Sequence, residues 1–201
     1  VCDTSNFAND PELFVAAWTW MGTPAIIRSY LEFDLSSIQA LGCQVSSATL
    51  VLPNSGSAAQ YNCGSTSTLH PCNDNSFTVN RVTQSWNENT ITWINQPTFA
   101  NTNPGSDYVL VGDESDPYDE FSINVTDIVN GWLTSSFPNY GFALKHVSES
   151  DYYKRLGPGS SDNADSTKRP YLVLVLNCPN MCSNIIEGDV FHDYDNNCIK
   201  D

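Results

Sequence analysis

The sequence predicts an all-β protein: a jelly-roll-like antiparallel β-sandwich carrying one short helix. Three observations predict it. Short runs alternate apolar and polar residues with a period of two, turn-forming Asn, Ser, Gly and Pro separate them, and helical spacing occurs in only one run.

The elements follow in chain order. After a polar opening, Phe14-Val15-Ala16-Ala17-Trp18-Thr19-Trp20 reads as a strand with Trp18 and Trp20 on one face. Ile27, Leu31 and Phe33 then share one face and Arg28, Tyr30 and Glu32 the other, a strand half in core and half in solvent. Ala48, Leu50 and Leu52 alternate with Thr49 and Val51 in the next strand, which Pro53 stops. Residues 54–76 are an Asn/Ser/Gly/Thr-rich excursion, and Phe77–Val82 resumes the sheet. The central stretch runs from Ser85 to Pro97. There Trp86 and Trp93 flank an Asn-Glu-Asn turn, and alternation over Thr90–Ile94 predicts a strand corner with both indoles buried. Glu88 is a turn residue on this reading.

Tyr108–Val111 is a short strand, followed by the acidic run 113–120, which could bind a cation but reads first as a solvated turn. Val125, Ile128, Val129 and Trp132 recur at three and four, so one or two helical turns begin at Thr126-Asp127 as N-cap and cover an open end of the sandwich. Asn124-Val125-Thr126 fits a glycosylation sequon by pattern, but it leads into that packed turn. Phe142 and Leu144 mark the next strand, and Tyr152, Lys154 and Leu156 alternate with Tyr153 and Arg155 in another. Tyr171–Leu176 is apolar on both faces, as a central strand covered on two sides would be.

Composition narrows the function. Eight basic residues against 23 acidic ones give a net charge of −15, a field that repels nucleic acid and anionic membranes. No run approaches the ~20 apolar residues that span a bilayer. No basic start with an apolar segment is present, so any export signal is expected to have been removed. Seven cysteines, at positions 2, 43, 63, 72, 178, 182 and 198, point to disulfides in an oxidising exterior. Cys63 and Cys72 bracket the polar excursion and are the expected bridge. Catalysis finds little support: His70, His146 and His192 are isolated, and neither G-x-S-x-G nor H-E-x-x-H occurs. A non-catalytic protein is expected.

The stretch from Val82 to Pro97 resembles the signature of bacterial extracellular DNRLRE-type domains. Arg28–Ile38, Ser47–Leu52, Ile123–Leu133, Tyr140–Lys145 and Arg169–Leu174 resemble that family's other landmarks, in order, over about residues 1–178. The resemblance implies a secreted β-sandwich related to carbohydrate-binding modules, some of which are directed at alginate. With this net charge a neutral glycan fits better than an anionic one. Residues 179–184 then read as a linker. Residues 185–201 resemble the first strand of a B-type repeat domain of bacterial surface proteins, with Cys198 where Gly is usual. On that reading Cys198 pairs with Cys182 or with a residue further along. Asp193, Asp195, Asn197 and Asp201 stand at positions 1, 3, 5 and 9 of an EF-hand-like loop, which makes Ca²⁺ the candidate cofactor.

Sandwich modules hold sugars by stacking rings on exposed aromatics while Asn, Asp and Gln bond the hydroxyls. The candidates are Trp20, Tyr61, Tyr108, Tyr118, Tyr152 and Tyr153, with Tyr140 beside them. The expected function is adhesion or glycan binding at a bacterial cell surface, with a glycan or neighbouring surface domains as partners. A ligand-free stalk module and an accessory module of a polysaccharide-degrading enzyme are the competing classes.

Overall fold

A computed structural model describes residues 4–55, 74–112 and 120–178. The chain forms ten strands among these: β1 (Val15–Trp20), β2 (Thr23–Ile27), β3 (Ser29–Leu31), β4 (Gln44–Leu52), β5 (Phe77–Arg81), β6 (Tyr108–Val111), β7 (Phe121–Asn124), β8 (Phe142–His146), β9 (Lys154–Leu156) and β10 (Tyr171–Asn177). Helix α1 spans Ser36–Ala40 and α2 spans Thr126–Leu133. The strands build three antiparallel sheets in the orders β2-β1-β9, β10-β4-β7 and β3-β8-β5-β6. The all-β sandwich expected from the sequence is what the chain adopts.

The period-two pattern explains the core. Ala48, Leu50 and Leu52 of β4 are fully buried and face Phe77, Val79, Phe142 and Leu144 from the four-stranded sheet. Phe77 meets Phe121 edge-on across the layers at 5.0 Å. Each such large side chain contributes roughly 1.5–3 kcal/mol by leaving water. Helix α2 closes one end with Ile128, Val129 and Trp132, as its spacing predicts. Its start differs in detail. Val125, not Thr126, is the N-cap, and Asn124 Oδ1 accepts from the Thr126 N–H at 3.1 Å. Thr126 Oγ1 instead accepts from the Ala48 N–H at 2.9 Å and so ties the helix to β4.

Four expectations are corrected. The segment from Thr90 to Gln96 is not a strand; it is a chain of turns. Asn87 Oδ1 accepts from the Asn89 N–H, Asn95 Oδ1 accepts from the N–H and hydroxyl of Thr92, and Asn95 Nδ2 donates to Thr90 O. Short polar side chains bonding their own backbone outcompete the sheet ladder here. Trp86 and Trp93 therefore leave the core, and Trp93 is 40% exposed. The proposed single strand from Ile27 to Phe33 breaks at Arg28, so β2 and β3 enter different sheets. Finally, β10 is an edge strand rather than a central one. Leu172 and Leu174 pack on the core, while Tyr171, Val173 and Val175 face outwards.

A disulfide joins Cys43 to Cys178, a pair that the cysteine spacing did not single out. It fastens the entrance of β4 to the exit of β10, its neighbour in the sheet. The bridges expected at Cys63–Cys72 and Cys182–Cys198 lie outside the described residues.

Candidate functional site

The outer face of β1 carries a row of large side chains. Side chains two apart share a face, so Trp18 and Trp20 project together with Ala16 and, just before the strand, Phe14. Across the ladder Trp18 lies opposite Ala25 and Trp20 opposite Thr23. These small partners add little cover; Trp18 is half-buried and Trp20 stands open. Trp20 is 69% exposed. The strand then turns through Met21 and Gly22, both at positive φ, which is the two-residue hairpin geometry that matches strand twist. That turn holds Trp20 at the tip.

From the other neighbour, β9 and the residue before it complete the face. Tyr153 meets Trp18 edge-on at 5.1 Å and accepts a hydrogen bond from Thr19 Oγ1 at 3.3 Å. Its backbone sits at φ 71°, unusual for a side-chain-bearing residue. Arg155 lies 3.9 Å over the Phe14 ring and pairs with Glu12 at 3.1 Å. The row thus runs from a charged, anchored end at Glu12 and Arg155 to an open aromatic end at Trp20.

A second aromatic group sits beside the break at Arg28. The Arg28 guanidinium lies 4.8 Å over the Trp93 ring, donates to Glu149 from two nitrogens at 2.7 and 2.6 Å, and donates to Gln96 at 2.9 Å. Gln96 Oε1 also accepts from the Tyr30 hydroxyl at 3.0 Å. Tyr30 packs on Trp86, whose N–H donates to Tyr140 O. Burial, against the opposing pull of Arg28, pushes the Tyr30 hydroxyl up to about 12, so it stays a donor. Glu149 bonds to Arg28 and Tyr153 packs on Trp18, and both lie in the connection between β8 and β9. One segment therefore positions both aromatic groups.

The predicted residues are placed unevenly. Trp20 and Tyr153 come together on the β1 face, with Tyr152, half-buried, next in the chain. Tyr108 lies on β6, an edge of the four-stranded sheet, away from this row. Tyr140 is half-buried and offers its carbonyl to Trp86. Tyr61, Tyr118 and the calcium-loop residues Asp193, Asp195, Asn197 and Asp201 fall outside the described residues. Glu88 is exposed in a turn, where its carbonyl accepts from Asn6 Nδ2 at 2.7 Å. Trp18, Trp93 and Arg28 were missed as site residues. The two-residue spacing of Trp18 from Trp20 was the available signal for the first of them.

An exposed indole on a rigid strand, flanked by hydrogen-bonding side chains, can stack on the C–H face of a ring while those side chains bond its hydroxyls. Residues 2–175 match carbohydrate-binding module family 96. The chain belongs to that family. No curated protein sequence matches it. Carbohydrate-binding modules are typically non-catalytic and usually extracellular, and the Cys43–Cys178 bridge accords with an oxidising exterior. None of the helices described is long and apolar enough to cross a membrane.

Proposed function

We propose that this family 96 module is a non-catalytic part of a secreted or cell-surface bacterial protein, serving adhesion by binding a neutral glycan on the outer face of β1. The observation that carries the reading is the openness of Trp20 at the end of the Trp18–Tyr153 row. An indole held in water forgoes about 2 kcal/mol of burial, and a stacked sugar ring recovers part of that. The net charge of −15 disfavours a polyanionic ligand. Family membership supports a carbohydrate as the ligand class.

The stalk reading draws on one feature. The Cys43–Cys178 bridge closes a separation of 135 residues and would resist unravelling from the β10 end. A glycan array probed with the wild type and with Trp20→Ala separates the two. Binding to neutral glycans that Trp20→Ala abolishes, with an unchanged melting temperature, supports the adhesion reading. Silence of the wild type across the array supports the stalk.

A further inference from the structure

We propose that β10 is a pairing edge for a second copy of this chain, which joins two three-stranded sheets into one across a two-fold axis. The face involved is separate from β1 and owes nothing to the glycan reading.

Unpaired N–H and C=O groups along an edge strand invite another strand, and natural sheets blunt their edges with shortness, charge or proline. The other described edges of this protein are blunted in those ways. β3, β6, β7 and β9 have only three or four residues, β9 adds Lys154 and Arg155, and β2 contains Pro24. β10 has none of these devices. It runs seven residues, from Tyr171 to Asn177, with no charge and no proline, in a chain of net charge −15. Among the described residues β4 is its sole ladder partner.

The strand is also open and held straight. Val173 and Val175 are 48% and 54% exposed, and Tyr171 and Leu176 are exposed beside them. Thr49 and Ser47 of β4, opposite the two valines, are too small to cover them. The irregularity in this ladder falls on β4, where Ser46 is the extra residue, so β10 itself stays regular. The β4 ladder and the Cys43–Cys178 bridge next to Asn177 hold it extended, which leaves little to order on pairing.

The strand itself selects the partner. It offers no charge to an acidic or a basic segment. What fits is an uncharged extended strand with apolar residues at alternate positions, and β10 meets that description. A two-fold axis sets two copies of it antiparallel with the same surface on both sides. Centred on Leu174, the pairing places Val173 against the partner's Val175 and Tyr171 against the partner's Asn177, and it buries no charge. Two strands of this length meeting edge to edge fall at the small end of protein interfaces, below roughly 1,200 Å². The dimer is therefore concentration-dependent rather than permanent.

The test is sedimentation equilibrium at about 150 mM salt, where repulsion between the acidic chains is screened, on protein that runs as one chain on a non-reducing denaturing gel. The mass is expected to rise from one chain towards two between about 5 and 500 µM, and Val173→Lys to hold it at one chain. That variant makes the net charge less negative, so a lost dimer is not the work of added repulsion. Trp20→Ala is expected to leave the dimer intact, which separates β10 from the open hairpin tip. Hydrogen exchange on the wild type gives a reading that needs no variant: the amides of β10 are expected to slow as concentration rises. A single chain at every concentration, assembly beyond two chains, a dimer untouched by Val173→Lys, a dimer lost in Trp20→Ala, or β10 exchange independent of concentration overturns the proposal.

Discussion

Arg28 and Glu149 meet in a two-point ion pair, Nε to Oε1 at 2.7 Å and Nη2 to Oε2 at 2.6 Å, at the position where the first long strand breaks. Both side chains are mostly buried, so the pair is more than a solvated surface contact. Removing the carboxylate leaves a desolvated guanidinium whose remaining hydrogen bond goes to Gln96. Glu149→Gln is expected to lower unfolding free energy by about 1–3 kcal/mol, measured by urea denaturation. It should also loosen Trp93, seen as a red shift in tryptophan emission.

The disulfide makes a second prediction. Its chain separation of 135 residues places it among long closures, for which the loop-entropy account gives about 5 kcal/mol. The double variant Cys43→Ser/Cys178→Ser is expected to lose about that much in urea while keeping its far-UV circular dichroism. A loss below about 1 kcal/mol would show that the β4–β10 ladder holds without the bridge.

Gly141 sits at φ 76°, and a Cβ there would meet the Leu31 carbonyl oxygen at 2.1 Å. The close approach is what lets β8 begin beside β3. Gly141→Ala adds strain and collision with backbone that cannot rotate away. It is expected to cost about 3 kcal/mol or more, read as a drop in melting temperature.

His146 gives the pH dependence. Burial holds its imidazole below the ordinary pKa, with the charge of Lys154 acting in the same direction. The unfolded chain therefore takes a proton that the folded chain refuses. Stability from this residue is fully present above the unfolded value, near pH 6.5, and is lost as pH falls towards the lower folded value. Unfolding free energy measured from pH 7 to pH 5 is expected to decline, and His146→Gln to flatten that slope.

The strands with strict alternation were legible because one buried face dictates the residues. Ala48, Leu50 and Leu52 in β4 and the spacing of α2 show this plainly. Trp93 was not legible as exposed. Its segment has strand-like alternation, but Asn87 and Asn95 bond the local backbone, and Asn6 donates to both Glu88 O and Ile91 O. The break at Arg28 was equally hidden, since its side chain pairs with a partner 121 residues away that local pattern does not show. For β10, an apolar run fits an edge strand and a central strand alike, and pattern alone does not separate them. In the site, Trp20 and Tyr153 were readable as aromatics, but their meeting around Trp18 depends on β9 returning to β1.

The central claim is that the indole row on β1, open at Trp20, is the glycan platform. Isothermal titration with a neutral oligosaccharide selected on the array, comparing wild type with Trp18→Ala/Trp20→Ala, tests it directly. The account predicts a loss of at least about tenfold in affinity, on the order of 1.4 kcal/mol, in a variant that remains folded by near-UV circular dichroism. An unchanged Kd in that folded variant would contradict it.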